Sequence, residues 1–243
     1  MNEDMYLIHF TSFFTNYKKD QNRDDIGFNN LLGIIENGFR FNRQHTYTPT
    51  ELNGRRGIKL DIGMICLTEA NKYDIKKNRD KFGKFGICMK KEWVEKFSGQ
   101  PVLYTLEGSI NEIILNNLNQ LITNSYNLFQ ESKDTRINQI SLSIAGISNH
   151  FQAITELIKY KYENEWRIID DPQNDVLQKS IIPWQITEEK NGCEITYCKN
   201  YLPISHGNDA EFYIIPKEYE ELFSSKVVEP DYNINKIMYF EDL

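Results

Sequence analysis

Gly63-Met64-Ile65-Cys66-Leu67-Thr68 is an unbroken apolar run of strand length. A strand with one wet face alternates apolar and polar side chains; a strand covered on both faces does not. The run therefore predicts a sheet held between two layers. Phe85-Gly86-Ile87-Cys88-Met89 reads the same way. Before them, Met5-Tyr6-Leu7-Ile8-His9-Phe10 is a first strand, and Pro101 to Leu106 is a further one. Strand character returns at Glu165-Trp166-Arg167-Ile168-Ile169, then at 181–186, 193–198, 211–215 and 236–240.

Helical rhythm supplies the covering layers. Phe28, Leu31, Leu32, Ile34 and Ile35 share one helix face, which Asn37-Gly38 ends in the left-handed C-terminal manner. Residues 91–97 form a short helix, and Pro216 opens another with acids in its first turn. Residues 42–61 are rich in Asn, Thr, Gly and Arg and read as a long loop. The texture changes after residue 108. Ile110, Ile114, Leu118, Leu121, Ile122 and Leu128 keep helical spacing. Ile137, Ile140, Ile144, Ile147, Phe151, Ile154 and Ile158 continue it after a polar break at 131–135. Residues 109–160 thus read as an antiparallel helical hairpin inserted between core strands, serving as a packed subdomain or an oligomerisation surface. The sum is one α+β domain over 1–243 with a mixed or antiparallel sheet.

With 243 residues, 40 % hydrophobic and 13 % aromatic, the chain has enough apolar surface for a packed globule, which excludes a disordered chain. No run approaches the roughly 20 apolar residues of a membrane helix. The acidic start Met1-Asn2-Glu3-Asp4 lacks the pattern of a signal peptide, so a cytoplasmic protein is expected. Cys66, Cys88, Cys193 and Cys198 have no second Cys/His pair at zinc spacing, so no metal is expected. A net charge of −7 argues against extensive wrapping by nucleic acid. One local basic run, Lys72 to Lys91, reads as a solvated loop or as a phosphate- or nucleic-acid-facing patch.

Several segments, in order, resemble the AbiGi family of abortive phage-resistance proteins. They are His9-Phe10-Thr11, Asn37-Gly38-Phe39, Met64-Ile65-Cys66-Leu67, and Phe85 to Trp93 with its Lys91-Glu92-Trp93 end. Pro101-Val102-Leu103-Tyr104, Tyr162 to Arg167, and Ile214-Ile215-Pro216 complete the set. His9-Phe10-Thr11, Asn37-Gly38 and Glu163-Asn164-Glu165 are also similar, more distantly, to ADP-ribosyltransferases. That second resemblance implies an ADP-ribosyltransferase-like sheet core and NAD as substrate. Glu165 and Glu163 would then be catalytic, and His9, Phe10, Thr11, Thr68, Tyr73 and Arg167 would bind the cofactor.

The chemistry behind those residue types is coherent. Cleaving the bond between ribose and nicotinamide passes through an oxocarbenium-like state that a carboxylate stabilises. A His at a strand end can donate to a ribose hydroxyl, an aromatic can stack on nicotinamide, and a Thr hydroxyl can bind the carboxamide. Structural roles fit the same residues. His9 at the end of an apolar strand can be a hydrogen-bonded core residue. Glu165 and Arg167, two apart on a strand, can pair with each other, or Arg167 can hold a phosphate. Trp166 points to the other face, toward a core.

Two functions follow from the resemblances. One is an NAD-using effector that modifies a target or cleaves NAD. The alternative is a non-catalytic, antitoxin-like member of a two-protein abortive-infection system that binds its toxin partner through 109–160. A nucleic-acid-binding protein using the basic run is a third reading.

Overall fold

The structure, a computed structural model, describes residues 5–12, 23–46, 60–77, 79–105, 133–157, 163–190, 193–205, 207–227 and 236–243. It also describes isolated positions between 113 and 131, and residue 161. In chain order the first elements are β1 (Tyr6–Phe10), α1 (Arg23–Asn37), β2 (Phe39–Arg40), β3 (Asn42–Thr46) and β4 (Leu60–Ala70). Then come α2 (Lys72–Lys77), α3 (Arg79–Phe82), β5 (Gly86–Met89), α4 (Lys91–Lys96), β6 (Gln100–Pro101) and β7 (Leu103–Thr105). The next are α5 (Thr135–Ala153), β8 (Thr155–Leu157), β9 (Glu165–Ile169), α6 (Asp175–Ser180), β10 (Ile182–Lys190) and β11 (Cys193–Leu202). The last are β12 (Ala210–Ile215), α7 (Glu220–Lys226) and β13 (Ile237–Tyr239).

The main sheet has eight strands, ordered β13-β12-β5-β1-β4-β9-β6, with β3 pairing the first half of β4. Its pairs are antiparallel except the parallel β12–β13 edge, so the sheet is mixed, as the sequence suggested. Both faces are covered, which is what the apolar run at 63–68 required. Ile65 and Leu67 turn to one face, into a core with Phe28 and Leu31 of α1, Trp93 and Val94 of α4, and Phe223 of α7. Met64 and Ala70 turn to the other. There Ala70 meets Ile75 of α2 and Phe82 of α3, while Met64 meets Ala153 at the end of α5. Period-two alternation assigns every side chain of β4 to one layer or the other. No helix among the described residues is long and apolar enough to cross a membrane.

Four sequence expectations are corrected. Residues 42–61 are not one loop: 42–46 and 60–61 belong to the β3–β4 hairpin, with Asn42 opposite Met64 and Thr46 opposite Leu60. Asn42-Arg43-Gln44-His45-Thr46 is polar throughout, so it carries no apolar period to announce a strand. The basic stretch is helical at α2 and α3 rather than loop. The strand expected over 101–106 is split into β6 and β7, which join different sheets. The second hairpin helix stops at Ala153; Thr155–Leu157 then pairs in parallel with β7. β-Branched Ile154 and Thr155 favour that change. The first helix expected for the hairpin lies mostly outside the described residues; the described positions from 113 to 131 are helical and exposed.

Candidate functional site

Around the start of β9 the second face of the sheet carries charge instead of apolar side chains. The cross-strand register places Glu165 opposite Thr68 and Arg167 opposite Cys66. Glu165 and Arg167 are 8 % and 4 % exposed. Arg167 Nη2 donates to Glu165 Oε2 at 2.7 Å and to Glu156 Oε2 of β8 at 3.2 Å. Its Nη1 donates to the Ala153 carbonyl at 2.7 Å. One guanidinium thus bridges two carboxylates and the C-terminal end of α5. Burial works against its charge, but the two carboxylates outweigh that and hold it firmly protonated. The i, i+2 pair anticipated from the sequence is therefore the centre of this cluster.

Neighbours complete the cluster. The Glu165 amide donates to the Tyr104 hydroxyl at 2.8 Å, and burial lifts the phenol to about 12. The Cys66 thiol is pushed up first by burial and then by the Glu165 carboxylate. Both effects favour the neutral thiol over the thiolate. Glu163 meets Lys81 at 2.9 Å; burial raises its carboxyl, and Lys81 opposes that shift. Glu163 and Glu165 do not share a strand face by simple alternation. Asn164 sits at φ 39° and breaks the extended backbone, with its side chain donating to the Glu69 carbonyl at 3.0 Å. Tyr104, Glu156 and Lys81 are not among the site residues expected from the sequence. Glu156 was hidden inside what reads as helix, and Lys81 inside what reads as a solvated basic run.

Of the remaining expected site residues, all but Thr68 are placed elsewhere. His9 lies on the opposite face of the sheet. Ile8 pairs with Thr68, which pairs with Glu165, so Ile8 shares their face and His9 turns away from it. The His9 ring packs edge-on against Phe39 at 5.2 Å, and Nδ1–H donates to the Cys66 carbonyl at 2.7 Å. Phe10 stacks on Phe82 at 4.7 Å inside the second-face core. The Thr11 hydroxyl donates to the Gly27 carbonyl at 2.7 Å, tying the end of β1 to α1. Thr68 is half-buried between Ile8 and Glu165. Tyr73 is 67 % exposed on α2, with Lys77 over its ring. The structure therefore joins Glu163, Glu165, Thr68 and Arg167, and separates them from His9. Trp166 turns to the first-face core, as alternation required. Three members of the basic run are held in structural contacts: Lys81 with Glu163, Lys84 with Asp24, and Lys91 over Trp166.

His9 carries a pH prediction. Burial lowers its pKa below the ordinary 6.5, against the pull of the Cys66 hydrogen bond. Below 6.5 the unfolded chain binds a proton that the folded chain refuses, so stability falls as the pH drops through that window. Thermal midpoints between about pH 7 and pH 5 should decline more steeply for the native chain than for His9→Gln, which keeps a donor for Cys66 but does not titrate. Parallel curves would show that His9 is not the responsible group.

Among known proteins, the family model of the abortive phage resistance protein AbiGi, antitoxin, matches residues 46–202. That span contains β4, β9, the buried ion cluster and α5. No curated protein and no solved structure matches the chain. The family match runs over more than half of the sequence, and the chain belongs to the AbiGi family of abortive phage-resistance antitoxins.

Proposed function

We propose that the protein acts as the non-catalytic, antitoxin-like member of an abortive-infection pair, neutralising a protein partner through its helical insertion. The observation that carries this reading is the inverted burial of α5. Ile137, Ile140, Ile144, Ile147 and Phe151 lie within one narrow stripe of that helix, at the spacing of a coiled-coil seam. Ile144 and Phe151 are half-buried, but the rest of the stripe faces outward. Ile137 is 38 %, Ile140 59 % and Ile147 68 % exposed, while among the described residues at mid-helix it is Ser141 that is buried. Leu121 and Leu128, in the preceding helical stretch, are exposed as well. A helix that turns isoleucines to water and a serine inward is built for a second surface. The family description, an antitoxin, supports the same reading.

The ion cluster supports it from the other side. Glu165 is spent on Arg167, and His9 lies across the sheet from it. An NAD-using activity would need those two groups on one surface.

Expression tests the proposal. The chain alone should be harmless to cells, and co-expression with the toxic member of the pair should restore growth. Ile140→Ser/Ile147→Ser should abolish that protection while changing folding stability by no more than about 0.5 kcal/mol, as expected for exposed positions. Toxicity of the chain alone, with nicotinamide released from NAD by the purified protein, would overturn the reading. So would full protection by the double variant.

A further inference from the structure

At the root of the insertion a cleft of about 390 Å³ opens where α5 meets the core. Its walls come from four places: the turn after α4, the edge strand β6, the end of β9 running into α6, and His150 of α5. Phe97, Ile169 and Val176 give it an apolar lining. Asp171 and Asp175 give it negative charge, and Gln100 and Gln173 add side-chain amides. Among the described residues no lysine or arginine lines it.

The two carboxylates have acceptor capacity to spare. Asp171 Oδ1 accepts the Gln173 amide at 2.9 Å, which anchors the carboxylate. Its Oδ2 lies 3.7 Å from His150 Nδ1, too far for a hydrogen bond. Asp175 sits in the first turn of α6, and among the described residues nothing pairs with its carboxylate. The cleft is held open by contacts of its own. Asn174 caps α6 by accepting the Leu177 amide at 3.1 Å and donates to Ser98 Oγ at 3.1 Å. Ser98 takes φ 59°, the left-handed turn that ends α4.

We propose that this cleft receives an arginine side chain from the protein partner. The inference rests on the partner reading above and names the chemistry the partner must bring. An aliphatic stem matches the Phe97, Ile169 and Val176 lining, and a guanidinium matches the two carboxylates at its rim. Spread acceptors of this kind suit the five-donor fork of arginine better than a point ammonium. The volume accommodates a side chain and part of its backbone, at the small end of ligand pockets. The position matters too: His150 lies one turn beyond Ile147, so the apolar stripe of α5 runs down to the cleft mouth. One partner surface can therefore engage the stripe and the cleft together.

The test uses the full chain and N-acetyl-Ala-Arg-Ala-amide as probe, followed by amide chemical shifts. Saturable shifts are expected at Ser98, Gln100 and Asn174. The citrulline analogue, which keeps the shape and loses the charge, should bind about tenfold more weakly. Asp171→Asn/Asp175→Asn should remove the shifts, with an unchanged melting temperature showing that the chain is folded. Asp175→Asn alone, at an exposed position, should weaken binding without touching the Asp171 anchor. No saturable shift, equal binding of citrulline, or binding that survives the double variant overturns the proposal. Agmatine binding as tightly as the peptide would make the cleft a small-cation site and also overturns it. A negative titration with intact protection in cells sinks only the cleft. A positive titration without protection sinks the partner reading instead.

Discussion

Arg167→Met should cost about 3–5 kcal/mol of folding stability, because it strands a buried carboxylate. Glu165 is buried, and its Oε2 is held by Arg167 Nη2 at 2.7 Å. Methionine fills most of the volume but offers no proton. The Glu165 carboxylate is then left buried beside an apolar side chain with no cation to meet it, which is expensive. Glu156 is less affected, since its side chain keeps 25 % of its exposure and reaches water. Glu165→Gln/Arg167→Met should recover much of the loss, because a neutral amide replaces the stranded charge. Urea denaturation of the three chains decides the matter. A single variant that unfolds at the native midpoint would mean that the pair contributes nothing. A double variant no better than the single would mean that Arg167 acts through its bond to the Ala153 carbonyl and the anchoring of α5, not through charge.

That cluster also marks the boundary of what the sequence makes legible. The i, i+2 spacing of Glu165 and Arg167 suffices to foresee their pairing, since a strand puts both on one face. The apolar run at 63–68 foretells two covered faces for the same reason: no wet position interrupts it. What could not be read is register between segments far apart in sequence. His9 and Glu165 stand on β1 and β9, with β4 between them, and a shift of one residue in either pairing would have placed them together. Glu163 misleads differently. Its spacing from Glu165 suggests a shared face, but the left-handed Asn164 breaks the alternation, and asparagine is one of the few residues that tolerate that conformation. The isoleucines of α5 show a third limit. Periodicity identifies an amphipathic helix; it does not say whether the apolar stripe faces this chain's core or another molecule.

Phe39→Ala should destabilise the fold by about 3–5 kcal/mol, the usual range for removing a fully buried aromatic. The reason begins one residue earlier. Gly38 adopts φ 84° and donates its amide to the Ile34 carbonyl at 2.8 Å, closing α1. A side chain there would run into the Leu202 carbonyl and Pro203, so the chain turns sharply against β11. That turn drives Phe39, 1 % exposed, into the first-face core, where it touches Trp93 at 5.6 Å and the His9 ring at 5.2 Å. Through its register with Leu202 it also fastens the three-stranded β10-β11-β2 sheet to the main sheet. Asn37-Gly38-Phe39, one of the segments behind the family resemblance, is thus an architectural joint. Phe39→Leu should keep most of the stability and Phe39→Ala should not. The alanine variant should also let water reach His9, returning its pKa toward 6.5 and flattening the acid limb of the stability curve. A loss below about 1 kcal/mol on Phe39→Ala would mean that the two sheets are held together elsewhere. An unchanged acid limb in that variant would mean that Phe39 is not what keeps the His9 ring dry.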